Sequence, residues 1–224
     1  MTPKYKVTRA RSEEKKKEQF ERILEIGKEL FTKKGIGGFS MRNLAQKLDM
    51  TKNNLYNYVE SKRELWIAIR NKFYKQFKEE NIEIIKRYNN EPRIKLFMKI
   101  CEHFFEFAER DFDVFILMHA FTSAPKSNKL GKFEKKYREY RLLDGTARII
   151  QEMIDRGEIK ETDPGKAALF LYAVLFGAMY IDMNRRTEIP ILENIQMSIK
   201  NISSKDFQNY VLEMIEKVLK NNLL

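Results

Sequence analysis

The sequence predicts an all-α protein of about nine helices, with a small N-terminal three-helix head (residues 1–65) followed by a larger helical domain (66–224). Three observations predict it. Apolar residues recur at three- and four-residue spacing nearly throughout. No segment sustains the alternation of a strand, and only nine glycines and five prolines punctuate 224 residues. The chain is long enough for a sizeable core in one or two domains. With 43% hydrophobic and 33% charged residues its composition is that of a folded chain rather than a disordered one. No uninterrupted run of about 18 apolar residues occurs, so no membrane span is expected, and no apolar h-region marks a signal peptide. Cys101 stands alone, which excludes an internal disulfide and fits a reducing, cytoplasmic location. One cysteine and two histidines cannot build a zinc finger, so neither metal nor cofactor is expected.

The elements follow in order. After a basic arm (Lys4, Lys6, Arg9, Arg11), Phe20, Ile23, Leu24, Gly27, Leu30 and Phe31 mark one face of a first helix ending at Gly35. "KKGIGGFS" is a turn, and Ser40 is placed to cap a second helix carrying Met41, Leu44, Ala45 and Leu48. Asp49 and Met50 break it, and Thr51 caps a third helix over Lys52 to Val59. "SKRE" (Ser61–Glu64) reads as a capping box opening a long fourth helix through Leu65, Trp66, Ile69, Phe73 and Phe77 to about Tyr88, where "NNEP" stops it. Further helical patterns run over 92–110, 111–123, 129–156, 164–186 and 204–221. Pro125, Gly157, Pro164 and Pro190 sit in the breaks.

The third helix is poorly made for stability. Leu55 and Val59 form its only apolar seam, with Asn53 and Asn57 opposite and Lys52, Asn54 and Tyr56 flanking. Asn competes with the backbone for hydrogen bonds and weakens a helix. Such groups suit an outer surface that reads duplex DNA: Asn pairs bidentately with adenine, Lys with guanine or phosphate, and Tyr donates to phosphate oxygens. The second and third helices have the proportions of a helix-turn-helix, with the small Ala45 where they cross. Asp49 stands at the sharp turn, where a positive-φ residue is commonly required. Lys52, Asn53, Asn54 and Asn57 are therefore candidate base readers. Ser40, Arg42, Tyr56 and Lys62 are candidate contacts along the DNA backbone, aided by positive helix N-termini, and Met41 and Thr51 are further candidate DNA-binding residues. Charge agrees: residues 1–65 hold 16 Lys/Arg against 9 Asp/Glu, and the net +11 of the chain is concentrated about fourfold per residue there. A generally Lys-rich, solvated surface would leave the same excess.

Ile23 to Ile69, "ILEIGKELFTKKGIGGFSMRNLAQKLDMTKNNLYNYVESKRELWIAI", resembles the DNA-binding domain of TetR-family transcriptional regulators. The resemblance rests on Leu30-Phe31, Gly35, Ser40, Leu44-Ala45, Thr51, Leu55-Tyr56 and Ser61-Lys62 with Leu65. Departures are Asp49 where Gly is frequent, Asn53 where a small residue is frequent, and Val59 where Phe is favoured. The resemblance implies a cytoplasmic homodimer on a palindromic DNA operator, usually a repressor, whose helical C-terminal domain dimerises and takes a small-molecule effector.

In that layout the last two long helices pair with their copies. Ala173, Gly177, Tyr210, Met214 and Val218 are the candidate interface residues, drawn from 164–186 and from the broad apolar stripe of 204–221. Gly177, mid-helix, costs about 1 kcal/mol relative to Ala. A close approach at a dimer seam would explain it, and so would room beneath Phe176 or Tyr180. The middle helices are rich in aromatics and Met, which suits either an ordinary core or a cavity for an apolar ligand. Phe104, Phe107, Phe115, Met118, His119, Tyr137, Tyr140, Phe176 and Tyr180 are the candidate ligand-binding residues. His119 reads as a core histidine or a pocket's polar handle, Cys101 as a buried filler, and His103 as a surface histidine.

Other classes of function are disfavoured. No Gly-rich phosphate loop, nucleophile elbow or His/carboxylate metal motif is present, so no catalytic residue is assigned and no enzyme is expected. A membrane-surface role for the basic end is opposed by Glu13, Glu14, Glu18, Glu21, Glu25 and Glu29. The serious rival is a helix-turn-helix protein without an effector, architectural or controlled by a protein partner.

Overall fold

The computed structural model describes residues 4–119, 127, 131–136, 142–186 and 202–221. Among them all regular structure is helical, in ten helices: α1 (Lys4–Gly38), α2 (Met41–Lys47), α3 (Lys52–Tyr56), α4 (Lys62–Arg87), α5 (Arg93–Arg110), α6 (Phe112–His119), α7 (Lys132–Lys136), α8 (Leu142–Asp155), α9 (Pro164–Arg186) and α10 (Ser204–Lys220). Three elements differ from expectation. The basic arm is helical from Lys4, continuous with α1. The third helix ends at Tyr56 rather than Val59, because the chain turns at Asn57 and Tyr58. The range 129–156 holds two described helices, α7 and α8, with 137–141 outside the described residues.

The chain divides into two compact units with bounds other than 1–65 and 66–224. One comprises residues 1–76 and 113–139, the other 77–112 and 140–224. In the first, Ile23, Leu24, Leu30 and Phe31 of α1 meet Leu44, Ala45 and Leu48 of α2, Leu55 and Val59, and Leu65, Trp66 and Ile69 of α4 in one core that Leu117 of α6 also joins. Gly27 lets α1 pack tightly on α4: a Cβ there would lie 3.1 Å from Ile69 and 3.3 Å from Leu65. Lys72 of α4 ties the same helices through Glu21 (2.8 Å) and Glu25 (2.6 Å). Burial alone would lower the Lys72 pKa, but its two carboxylate partners outweigh that and hold it above the ordinary value.

Two turns use one device with different residues. At the end of α8, Gly157 takes φ 69°. Its N–H donates to the Ile154 carbonyl and that of Glu158 to Met153, both at 2.9 Å, which is a Schellman cap. At the end of α2, Asp49 takes φ 52°, and the N–H groups of Asp49 and Met50 donate to Gln46 and Ala45 in the same pattern. A side chain in this region costs roughly 1–2 kcal/mol. Asp49→Gly is therefore expected to raise the unfolding free energy of the head by about 1 kcal/mol in denaturant titration.

In the second unit α5, α8, α9 and α10 pack on one another around Phe97, Phe105, Ile150, Met153, Leu171, Met179 and Ile215. Glu158, just past the Gly157 cap, accepts the backbone N–H of Arg93 (2.8 Å) and of Ile94 (2.9 Å), so the end of α8 caps the start of α5. Asp182 is wholly buried in α9 and accepts from Ser204 and Gln208 of α10, while Gln208 also donates to Glu109 of α5. By length and composition, Pro164–Asn184 would suffice to cross a membrane, which counting uninterrupted apolar runs does not reveal. In this fold Ala167, Ala168, Leu171, Leu175, Ala178 and Met179 of that helix are buried. It is apolar because one side is core and much of the other is apolar as well.

Candidate nucleic-acid interface

The surface of the head is built from its core outward. Leu55 and Val59 are both fully buried, which fixes the rotation of α3 and leaves Lys52, Asn53, Asn54, Tyr56 and Asn57 exposed. Thr51 accepts the Asn54 N–H (3.2 Å) and holds the first turn of a helix too short to persist alone. Lys52 Nζ lies 5.7 Å from the Tyr56 ring centre, and the Asn57 amide is 3.5 Å from that of Asn54. These contacts are weak and local, so the row stays available to a partner.

Around that row the candidates separate. Arg42 and Ser40 are exposed. Ser40 occupies the N-cap of α2, but its hydroxyl makes no capping bond, contrary to expectation, and so remains free to meet a phosphate. Met41 is buried in the core of the head, so only its backbone faces the N-terminal end of α2. Lys62 is half-buried and donates to the Phe39 carbonyl (3.1 Å), with its ammonium 5.5 Å from the Phe39 ring centre. Burial lowers its pKa. Lys62 fastens the Phe39–Ser40 link between α1 and α2 to the start of α4.

The capping box forms with a one-residue difference. Ser61 accepts the Glu64 N–H (3.0 Å), but Glu64 returns a bond to the N–H of Glu60 rather than of Ser61. Its other oxygen accepts the Phe133 N–H (2.7 Å). Glu64 is thus fully buried between α4 and a segment almost seventy residues away. That segment falls within the helical pattern expected over 129–156, and nothing in its local sequence signals the contact with Glu64. Beside α3 it helps to form a cleft of about 620 Å³ with walls from Lys16, Lys17 and Phe20, from Asn54, Asn57 and Tyr58, and from Lys132 and Phe133.

The described candidate ligand residues fall in different places. In the second unit Phe104 lines a cavity of about 30 Å³ with Phe77, Phe97, Ile100, Cys101, Thr146, Leu171, Tyr172 and Leu175. That volume holds a water molecule or two, far below the roughly 300 Å³ of a small-molecule pocket. Phe107 packs instead against Phe77 and His103. Phe176 stacks between Tyr172 and Tyr180, with Tyr180 half exposed. Phe115 belongs to the first unit. The side chains of Met118, His119, Tyr137 and Tyr140 lie outside the described residues. Cys101 is buried, and burial pushes its thiol pKa well up, so it is an inert filler. His103 is buried rather than at the surface. Its ring stacks on Phe77, its Nε2 lies 2.7 Å from Glu80 and its Nδ1 3.2 Å from Asn81, partners that helical periodicity cannot reveal. Among the described residues no three His, Cys, Asp or Glu side chains group to hold a metal ion.

The candidate interface residues fall on an uncovered face. Tyr210 is 60% and Met214 40% exposed. Ala173 is exposed, while Gly177 and Val218 are half-buried. Leu169 (55%), Phe170 (49%) and Ile181 (53%) extend the apolar stripe on α9. They were missed because α9 is apolar all round and its sequence does not say which face is core. A Cβ on Gly177 would meet nothing within 4 Å among the described residues, so crowding inside the subunit does not require this glycine.

Residues 23–69, about a fifth of the chain, match the bacterial regulatory proteins of the tetR family. No curated protein sequence matches the chain. Among solved structures, a Clostridium perfringens protein provisionally assigned as a fatty acid metabolism regulator superposes with a TM-score of 0.64 at 19% identity, over 90% of this chain and 98% of that one. AibR, solved in complex with isovaleryl coenzyme A and operator DNA, gives 0.61 at 19% identity over 88% and 97%. PfmR from Thermus thermophilus, a TetR family transcriptional regulator, gives 0.60 at 20% identity over 89% and 97%. Likeness at this identity establishes the fold. It is the all-helical TetR-like fold with an N-terminal helix-turn-helix.

Proposed function

We propose, from a chain whose head is the tetR-family DNA-binding segment and whose whole fold is TetR-like, that this protein is a homodimeric cytoplasmic repressor released from a palindromic operator by a small, largely apolar effector. The observation that carries the DNA reading is the exposed row Lys52, Asn53, Asn54, Tyr56 and Asn57, presented by α3 and its C-terminal turn over the buried Leu55 and Val59. Asparagine amides there reach base edges, while Arg42, Ser40 and Tyr56 meet phosphates. Two heads would occupy successive major grooves about 34–36 Å apart. The uncovered apolar face of α9 and α10 supports pairing with a second copy, and the bare Gly177 suits a close helix approach there.

Effector control draws on two observations. The cavity among Phe104, Cys101, Leu171 and Tyr172 has an almost wholly apolar lining, so an apolar group suits it. AibR, of similar fold, was solved with isovaleryl coenzyme A as well as operator DNA. At about 30 Å³ the cavity must open to admit any effector, and that opening can displace Phe77, which belongs to the same helix, α4, as the capping turn Lys62–Leu65. A changed spacing of the heads then prevents both half-sites from being engaged together. The closed cavity also favours the second reading, a helix-turn-helix protein without an effector.

Selection of bound sequences from a random duplex pool tests the first claim. A palindrome is expected, and recovery of no preferred sequence would refute it. Calorimetry with apolar carboxylic acids and their thioesters separates the two readings, since only the first predicts saturable heat together with loss of DNA. Asn57→Ala is expected to relax sequence choice by about 1–3 kcal/mol at one position of each half-site, whereas Arg42→Ala should weaken all duplexes alike. Equal behaviour of the two variants in a binding titration would show that the contacts are misassigned.

A further inference from the structure

The short helix α7 and Gly131 just before it are fastened to the head by four separate contacts, all within the first unit. Phe133 donates its N–H to the buried Glu64 carboxylate (2.7 Å). Its ring stacks on Phe20 of α1, with centres 5.0 Å apart and planes within 6°. Glu134 pairs with Arg63 of α4. Gly131 brings bare backbone so close to Glu64 that a Cβ would lie 2.1–2.4 Å from the carboxylate. Only glycine permits that approach.

The fastening presents a charge. Lys132 is exposed and lines the 620 Å³ cleft together with Lys16 and Lys17 of α1 and with Asn54 and Asn57. The cleft's single acid, Glu13, is paired with Lys16. Lys17 and Lys132 have no ion-pair partner among the described residues. Glu134, the one acid of α7, is turned away onto Arg63. Cationic walls, amide groups and a bed continuous with the base-reading row are the features of a channel for a sugar-phosphate strand.

We infer that α7 is a fourth element of the DNA-binding head, and that Lys132, with Lys16 and Lys17, grips the duplex backbone as it leaves the recognition helix. This rests on the DNA-binding reading above but is separable from it. A residue some seventy positions beyond the helix-turn-helix then contributes to affinity without contributing to sequence choice. Because α7 is held through Glu64 and Arg63, the first turn of α4 and the phosphate contact are positioned together.

The test uses full-length protein, the duplex recovered by selection and a scrambled duplex of the same length, titrated over a range of potassium chloride. Lys132→Gln is expected to reduce the slope of log K against log[salt] by about 0.9 per subunit, and to weaken both duplexes by the same factor. Lys135→Gln removes the same charge from the same helix but from outside the cleft, and should leave the slope as it is. Gly131→Ala, which drives a methyl group into the Glu64 carboxylate, should reproduce the Lys132→Gln loss with every lysine still present. An unchanged slope for Lys132→Gln, equal effects of the two lysine variants, or tighter binding by Gly131→Ala would each overturn the inference while leaving the DNA-binding reading intact. Wild-type protein that ignores every duplex would overturn both.

Discussion

Tyr210→Arg combined with Met214→Arg is expected to yield a monomer in sedimentation velocity and to lose operator affinity by about 10²–10⁴-fold. Both side chains belong to the uncovered face of α10, so in a monomer two arginines meet water and the subunit's own packing is undisturbed. In a dimer they would be driven against a second apolar face with Leu169, Phe170 and Ile181 nearby in kind. Like charges buried without partners in a symmetric seam are strongly unfavourable. Affinity falls because the second half-site is no longer bound at high effective concentration, while each head keeps its own contacts. Single half-sites should therefore be bound as before. A double variant that stays dimeric would remove this face from the interface.

The second large effect is that of salt. If about eight phosphates are neutralised per operator, log K should fall with log[salt] with a slope of about −7, a loss of roughly 10³–10⁵ between 50 and 200 mM. Arg42 and Lys52, both exposed with no ion-pair partner among the described residues, are the clearest sources of the compensating charge. Lys62 contributes less than sequence alone suggests, because its ammonium already serves the Phe39 carbonyl. A flat response would mean that the basic excess of the first 65 residues is only a solvated surface.

The features legible in the sequence are those decided within a few residues. Leu55 faces inward as the apolar side of α3, with Val59 buried just past its end, and Asp49 turns left-handed because the Gln46 and Ala45 carbonyls need Schellman donors. The start of α9 at Pro164 agrees with the periodic pattern. Ser61 takes the Glu64 N–H as a capping box demands. Each is a consequence of backbone geometry and of the side chains three or four positions away.

What escaped depends on residues far apart in the chain. His103 looks like a surface histidine until Glu80, Asn81 and Phe77 surround it. Phe104 and Phe107 are one turn apart on α5, yet only Phe104 reaches the cavity, because the neighbouring helices and not the period decide where space remains. On α9, where nearly every position is apolar, only the packing of α5, α8 and α10 determines that Leu171 is core and Phe170 is surface.

The amino-acid sequence by itself determined that this is a helical protein with a helix-turn-helix head, and which side of the short third helix looks outward, since pattern and capping act over single turns. Only the tertiary structure decided that Glu64 binds a segment near residue 133, that Met41 and His103 are buried, and that the aromatic middle helices close to a 30 Å³ cavity. Those outcomes follow from which distant surfaces exclude water from one another, and no local period encodes that choice.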